Sequence, residues 1–167
     1  MIRVIVFDFG NTVMREIPDF DGKMVDAPHV EAMPHVEEAL RALRPDYRLV
    51  MASNANLSRS ADIRAALRRV GLDGYFEIIL SSADLGVNKP DPAFFHKVLE
   101  ACGCTPGETV MVGDTFEKDV VGAKNVGMRA VWYALEDRVP PPGSPVTPDA
   151  VIRDLRDLDA AIRALEG

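Results

Sequence analysis

The sequence predicts an α/β protein built on a parallel sheet with helices on both faces. Three observations lead there. Short apolar runs alternate with stretches of helical period along the chain, the pattern of successive βαβ units. The first run, Val4-Ile5-Val6-Phe7, is continuously apolar, as a strand covered on both faces must be. Several runs stop at a small or charged polar residue, and in open α/β sheets ligands bind at the carboxyl ends of the strands.

Taken in order, Val4 to Phe7 forms the first strand and ends in Asp8-Phe9-Gly10-Asn11-Thr12, where Gly, Asn and Thr are turn formers. Asp8 alone would also suit a cap of the next element. Residues 15 to 33 are polar and aperiodic, with Pro18, Asp19, Asp21, Gly22, Asp26, Pro28 and His29. They read as a long loop or a short hairpin, and loops of that length in compact domains are usually functional or mobile. Pro34 opens a helix with Val36, Ala39, Leu40 and Leu43 at helical spacing, and Pro45 ends it. Arg48 to Ala52 is a second strand delivering Ser53-Asn54. A helix from about Ser58 to Val70 turns Ile63, Ala66, Leu67 and Val70 inward and stops at Gly71.

Phe76 to Leu80 reads as a third strand and Ser81 to Asn88 as loop. Lys89-Pro90-Asp91-Pro92 leads into a helix carrying Phe94, Phe95, Val98, Leu99 and Cys102. Thr109 to Val112 is a fourth strand ending at Gly113-Asp114-Thr115. The helix after it, about Phe116 to Val126, has Asp119 in its first turns and ends at Gly127. Arg129 to Tyr133 is a fifth strand. Pro140 to Pro148 holds five prolines in nine residues, too stiff and too poor in donors for helix or sheet. Ala150-Val151-Ile152 can add a short sixth strand at the edge, and Leu155, Leu158, Ile162 and Leu165 share one face of a last helix. No internal repeat or domain break interrupts residues 1–167, so a single domain is expected.

A chain of 167 residues is long enough for one full core. Its net charge of −7 argues against nucleic acid as a partner, because no surplus of Lys and Arg is present to neutralise phosphates. A phosphorylated substrate is compatible with that charge if a bound cation supplies the missing positive charge. Cys102 and Cys104 form one C-x-C pair without a second cluster, poor evidence for zinc; Cys102 lies on an apolar helix face and reads as a buried thiol in a reducing compartment. The N-terminus passes straight into the first strand without a signal peptide, and no apolar run approaches the ~20 residues of a membrane span. These features predict a cytoplasmic protein with no membrane partner. His29, His35 and His96 show no ligand spacing, and Trp132 and Tyr133 read as core and rim.

In a parallel sheet Asp8, Ser53-Asn54, the Lys89 loop and Asp114 all fall on one edge. Two carboxylates there, Asp8 and Asp114, suit an oxygen-ligated Mg²⁺. Lys89 and Ser53 suit a phosphate. Asp8 is a candidate nucleophile, since a carboxylate can form an aspartyl-phosphate, and a metal with Lys89 would offset the repulsion between an anionic nucleophile and an anionic substrate.

These residues resemble the motifs of the haloacid dehalogenase-like hydrolases, a superfamily mostly of phosphatases, and within it subfamily IA. Val4 to Thr12 resembles the first motif, an apolar strand ending Asp-x-Asp-Gly-Thr. Leu49-Val50-Met51-Ala52-Ser53-Asn54 resembles the second, a strand ending in Ser or Thr. Lys89-Pro90-Asp91-Pro92 resembles the third. Val112-Gly113-Asp114 with Asp119 resembles the fourth, and Gly122 to Met128 continues the likeness. The resemblance implies a Rossmann-like three-layer sandwich, a five-stranded parallel sheet with the first strand central. It implies Asp8 as nucleophile and Mg²⁺ ligand, the backbone carbonyl of Gly10 and Asp114 as further ligands, and Asp119 bound to metal-held water or orienting Lys89. Ser53 and the amide of Asn54 would hold the phosphoryl group, and Lys89 would neutralise Asp8 and the phosphate.

The pattern breaks in two places. Phosphatases of the superfamily usually carry an Asp two residues after the nucleophile as general acid and base; here that residue is Gly10, and Asn11 replaces the usual Gly. Loss of such a group costs on the order of 10²–10⁴ in rate; Glu16, Asp19 and Asp21 lie near enough in sequence to substitute. Most relatives also insert a cap domain after the first motif, where this chain has only residues 15–33. The expectation is therefore a capless core with an open site. Its leading activity is that of a Mg²⁺-dependent phosphatase on a phosphorylated small molecule or a larger phosphorylated substrate, acting as monomer or homodimer. The alternative is a metal- and phosphate-binding module without turnover, and a third reading is dehalogenation by an Asp nucleophile.

Overall fold

The computed structural model describes residues 1–167. Six strands make one wholly parallel sheet: β1 (Val4–Phe7), β2 (Arg48–Ser53), β3 (Ile78–Ser81), β4 (Thr109–Gly113), β5 (Arg129–Tyr133) and β6 (Ala150–Ile152). Their order is β3-β2-β1-β4-β5-β6, so β1 is central, the order reverses on either side of it, and the short sixth strand forms. Phe7 is level with Met51 on one side and Val112 on the other. The residues that follow in β1, β2 and β4 therefore leave the sheet side by side.

Side chains alternate across the sheet, because successive Cβ atoms point to opposite faces. Ile5, Phe7, Leu49, Met51, Val110 and Val112 pack on one face with α1 (Val36–Leu43), α2 (Ser60–Arg68) and α6 (Leu158–Ala164). Val4, Val6, Val50, Ala52 and Met111 pack on the other with α4 (Pro92–Cys102) and the helical stretch 116–125. Both faces are buried, which is the three-layer sandwich, and it explains why the strand interiors are apolar, with polar residues at strand ends. Cys102 is buried, and burial pushes its thiol up to about 11.

Two elements differ from the sequence expectation. Within the supposed loop 81–88 lies a one-turn helix, α3 (Ser82–Leu85); the Ser81 hydroxyl caps it by accepting from the Ala83 amide at 3.1 Å, and Gly86 stops it at φ +72°. One turn is too short to show a period. The helix expected over 116–126 opens as a π-helical turn, Phe116–Val121, and only Gly122–Asn125 (α5) is α-helical. Val70 and Leu165 are half-buried rather than inward.

Residues 15–33 are tied at both ends. The Arg15 amide donates to Glu31 O at 2.9 Å and the Met33 amide to Val13 O at 2.8 Å, closing a hairpin-like base. Arg69 of α2 donates to the carbonyls of Val25, Ala27 and Pro28 at 3.0, 2.6 and 3.2 Å. No helix is long and apolar enough to cross a membrane.

Candidate active site

The site begins where β1 ends. The Asp8 amide still donates to Val112 O at 2.9 Å, so its backbone is held by the sheet. The chain then wraps tightly, with the amides of Val13 and Met14 both donating to Phe9 O, at 3.0 and 2.9 Å. Asn11 takes φ +54° there, a conformation that non-glycine residues seldom adopt and Asn tolerates best.

Lys89 arrives from the loop before α4 and is 3% exposed. Its ammonium donates to Asp8 Oδ1 at 2.7 Å, to Asp119 Oδ1 at 2.7 Å and to Ala52 O at 3.1 Å. All three ammonium protons are thus engaged. Burial opposes the charge on Lys89, but the attraction of Asp119 and then Asp8 outweighs it and holds the ammonium above its ordinary value. The Asn54 side chain fixes this lysine's backbone: its Nδ2 donates to Lys89 O at 2.9 Å and its Oδ1 accepts from the Lys89 amide at 2.7 Å. Ser53, the last residue of β2, is buried beside it.

Asp114 follows β4 and is buried; Asp119 lies in the π-helical turn and is 1% exposed. Asp119 has both oxygens occupied, Oδ1 by Lys89 and Oδ2 by the Thr115 amide at 3.0 Å. Its carboxylate lies against Gly113 so closely that a Cβ there would collide with it, which is the reason for Gly in the Val112-Gly113-Asp114 stop. Burial, then repulsion from Asp8 and Asp119, raises the Asp114 carboxyl well above the usual carboxylate range. Burial also raises Asp119, although Lys89 partly opposes the shift.

Asp8, Asp114 and Asp119 each offer an oxygen within 4.8 Å of the others. Three carboxylates against one ammonium leave two negative charges unbalanced when all are ionised. Hard oxygen donors with that surplus fit a divalent cation such as Mg²⁺.

All seven residues singled out from the sequence gather at this edge. Asp8, Gly10, Ser53, Asn54, Lys89, Asp114 and Asp119 line one cleft, joined by Glu16, Thr115 and Lys118. Asp19 and Asp21 do not line it. Two supporting contacts were missed. Trp132 donates its indole N–H to the Asp114 carbonyl at 2.9 Å, and Thr12 places its hydroxyl 3.3 Å from Asp8 Oδ2 and 3.4 Å from Asp114 Oδ1. Thr12 stands inside the first motif, and this was the available signal. Lys118 was missed too; it has no ion-pair partner and is exposed at the cleft, one residue before Asp119.

Comparison with known proteins places the chain among relatives. Residues 6–127 match the haloacid dehalogenase-like hydrolases. Among curated proteins, the chain is 43% identical over 96 residues to a phosphoserine phosphatase of Thermus thermophilus, covering 57% of this chain and 37% of that one. It is 30% identical over 139 residues to the N-acylneuraminate-9-phosphatase of Mus musculus, covering 83% of this chain and 54% of that one. The chain thus spans about half or less of these relatives' length. A solved structure of an uncharacterized protein from Listeria monocytogenes serotype 4b superposes with a TM-score of 0.88 at 26% identity, over 99% of each chain.

Proposed function

The chain belongs to the haloacid dehalogenase-like hydrolases, and from that footing we propose that it is a Mg²⁺-dependent phosphatase working through an aspartyl-phosphate on Asp8. One observation carries the reading: Lys89 Nζ stands 2.7 Å from Asp8 Oδ1 in a cleft that Ser53 and Asp114 also line. An ammonium at that distance offsets the repulsion between an anionic nucleophile and an anionic substrate. The curated relatives named above are phosphatases, which supports the same reaction class.

In this reading Asp8, the Gly10 carbonyl and Asp114 hold the Mg²⁺, and Asp119 acts through a metal-held water or by orienting Lys89. The cation, when bound, offsets charge on the phosphoryl oxygens. Ser53 and the Asn54 amide hold the phosphoryl group. Lys89 has no spare proton to give the phosphate while it bonds Asp8, Asp119 and Ala52 O, so its part is charge balance, and the unpaired Lys118 is the better direct donor. Residues 1–167 act as one catalytic core, with 15–33 in place of a cap. The substrate is a phosphorylated small molecule or a larger phosphorylated substrate met in the cytoplasm, and the protein acts as monomer or homodimer.

No hydrophobic residue lines the cleft. That disfavours dehalogenation, which needs a dry pocket. The second reading is a module that binds metal and phosphate without turnover, and Gly10 favours it. Hydrolysis of p-nitrophenyl phosphate with Mg²⁺ separates the two. Wild type should turn over and Asp8→Asn should lose at least about 10⁴-fold. An inert wild type that still binds Mg²⁺ would leave the binding module.

A further inference from the structure

We infer that Glu16 is the proton-transfer residue of this site, taking the place left by Gly10. The inference rests on the phosphatase reading and adds the group that reading lacks. An alkoxide leaves a phosphoryl group badly unless it is protonated, so a phosphatase for alkyl esters needs an acid at the leaving oxygen. Few groups in the cleft qualify. Asp8 is the nucleophile. Asp119 has both oxygens engaged, and Asp114 lies buried among the proposed metal ligands. Lys118 is an ammonium, a donor to phosphate oxygens rather than a carboxyl. Glu16 is the remaining carboxyl that lines the cleft.

Its position is the stronger argument. A Cβ built on Gly10 would fall 2.6 Å from Glu16 Oε1 and 2.9 Å from its Cγ. An aspartate at that position would carry its carboxylate oxygens roughly 2.4 Å from its own Cβ, two covalent bonds away. Glu16 therefore brings a carboxylate oxygen to nearly the distance from that Cβ position at which an aspartate two residues after the nucleophile would hold its own. Gly10 is what lets it in, because any side chain there would collide with it.

Asn11 holds Glu16 in place. Asn11 Nδ2 donates to Glu16 Oε2 at 3.0 Å, and the Glu16 amide donates to Asn11 Oδ1 at 3.0 Å. The clamp ties one carboxylate oxygen and leaves Oε1 over Gly10. Both departures from the first motif thus have one cause: Gly10 opens the space, and Asn11 anchors the residue that fills it. Asp19 and Asp21, equally near in sequence, do not line the cleft.

The chemistry balances in two halves. Asp8 attacks phosphorus, the bond from phosphorus to the alkyl oxygen breaks, and the Glu16 proton goes to that oxygen to release the alcohol. Glu16, now a carboxylate, takes a proton from water as the water oxygen attacks phosphorus. The bond between Asp8 and phosphorus then breaks, giving inorganic phosphate and restoring both carboxyl groups.

The test compares leaving groups in pre-steady-state kinetics with substrate in excess. p-Nitrophenolate departs without a proton; the alkoxide of β-glycerophosphate does not. In Glu16→Gln, β-glycerophosphate cleavage should fall on the order of 10²–10⁴-fold, while the p-nitrophenolate burst stays within about threefold and the following turnover slows. The Mg²⁺-induced rise in melting temperature should persist, showing an intact site. Glu16→Ala combined with Gly10→Asp should recover at least about tenfold in β-glycerophosphate cleavage over Glu16→Ala alone. Cleavage of β-glycerophosphate by Glu16→Gln at the wild-type rate overturns the inference, as does an equal fall for both esters. A wild type that releases p-nitrophenolate no faster than Asp8→Asn overturns the phosphatase reading and this inference with it.

Discussion

At the amino edge of the sheet, Arg3 pairs with Glu108 at 3.1 Å and Arg48 with Glu77 at 2.8 Å, while Glu166 accepts from the Ile2 amide and the Tyr47 hydroxyl, both at 2.7 Å. At the carboxyl edge Asp8 and Asp119 share the one ammonium of Lys89, and Asp114 has no cation within ion-pair distance. The carboxyl groups respond in opposite senses. The Thr105 amide and hydroxyl, then Arg3, bring Glu108 down to about 2, and the Arg48 guanidinium lowers Glu77. Burial raises Asp114 and Asp119. The amino edge uses water-accessible charge one pair at a time to fix the strand starts, and each such pair contributes little. The carboxyl edge excludes water and leaves negative charge over, the arrangement a cation and a phosphate need.

The contrast predicts unequal costs for removing one cation at each edge. In chelator, Lys89→Met should destabilise by about 3–5 kcal/mol, because it strands the buried carboxylates. Arg48→Met breaks a pair that water screens and a hydrogen bond to the Cys102 carbonyl, and should cost about 1–2 kcal/mol in all. Urea unfolding of the two variants makes the measurement; equal losses would mean that the two edges do not differ.

A second measurement adds the cation itself. Mg²⁺ at a hundred times its dissociation constant should stabilise the wild type by about 2.7 kcal/mol. The rise in melting temperature should vanish in Asp114→Asn and survive in Glu108→Gln. Loss of the response in both, or in neither, would remove the link between unbalanced charge and metal.

The carboxyl edge was the more legible of the two in sequence. Its strands run apolar up to polar stops, so Asp8, Ser53 and Asp114 could be placed on a common edge from where the runs end. Lys89 was legible through its proline-flanked motif. What depends on the path of a loop was not legible. The clamp of the Asn54 side chain on the Lys89 backbone is one such feature. Glu16, Asp19 and Asp21 looked equivalent, because an aperiodic stretch carries no signal for which side chain turns inward. The bonds from Arg69 to the carbonyls of residues 25, 27 and 28 set that path, and backbone carbonyls have no sequence signature. The amino-edge pairs were missed for a similar reason: Glu166 and Ile2 meet from opposite ends of the chain.

The smallest effect lies at that last contact, and its sign is fixed. The Tyr47 hydroxyl and the Ile2 amide hold the Glu166 carboxyl below its ordinary value of 4.5. The folded protein therefore takes up this proton later than the unfolded chain as pH falls. Stability from Glu166 is fully present above pH 4.5 and is lost progressively below it. Glu166→Gln should accordingly be less stable than wild type at neutral pH, with the gap closing below pH 4.5. Urea midpoints of the pair along a descending pH series read the effect directly. A gap that is constant with pH would mean that Glu166 acts by packing and not by charge, and the amino edge would then lose one of the paired carboxylates that set it apart from the site.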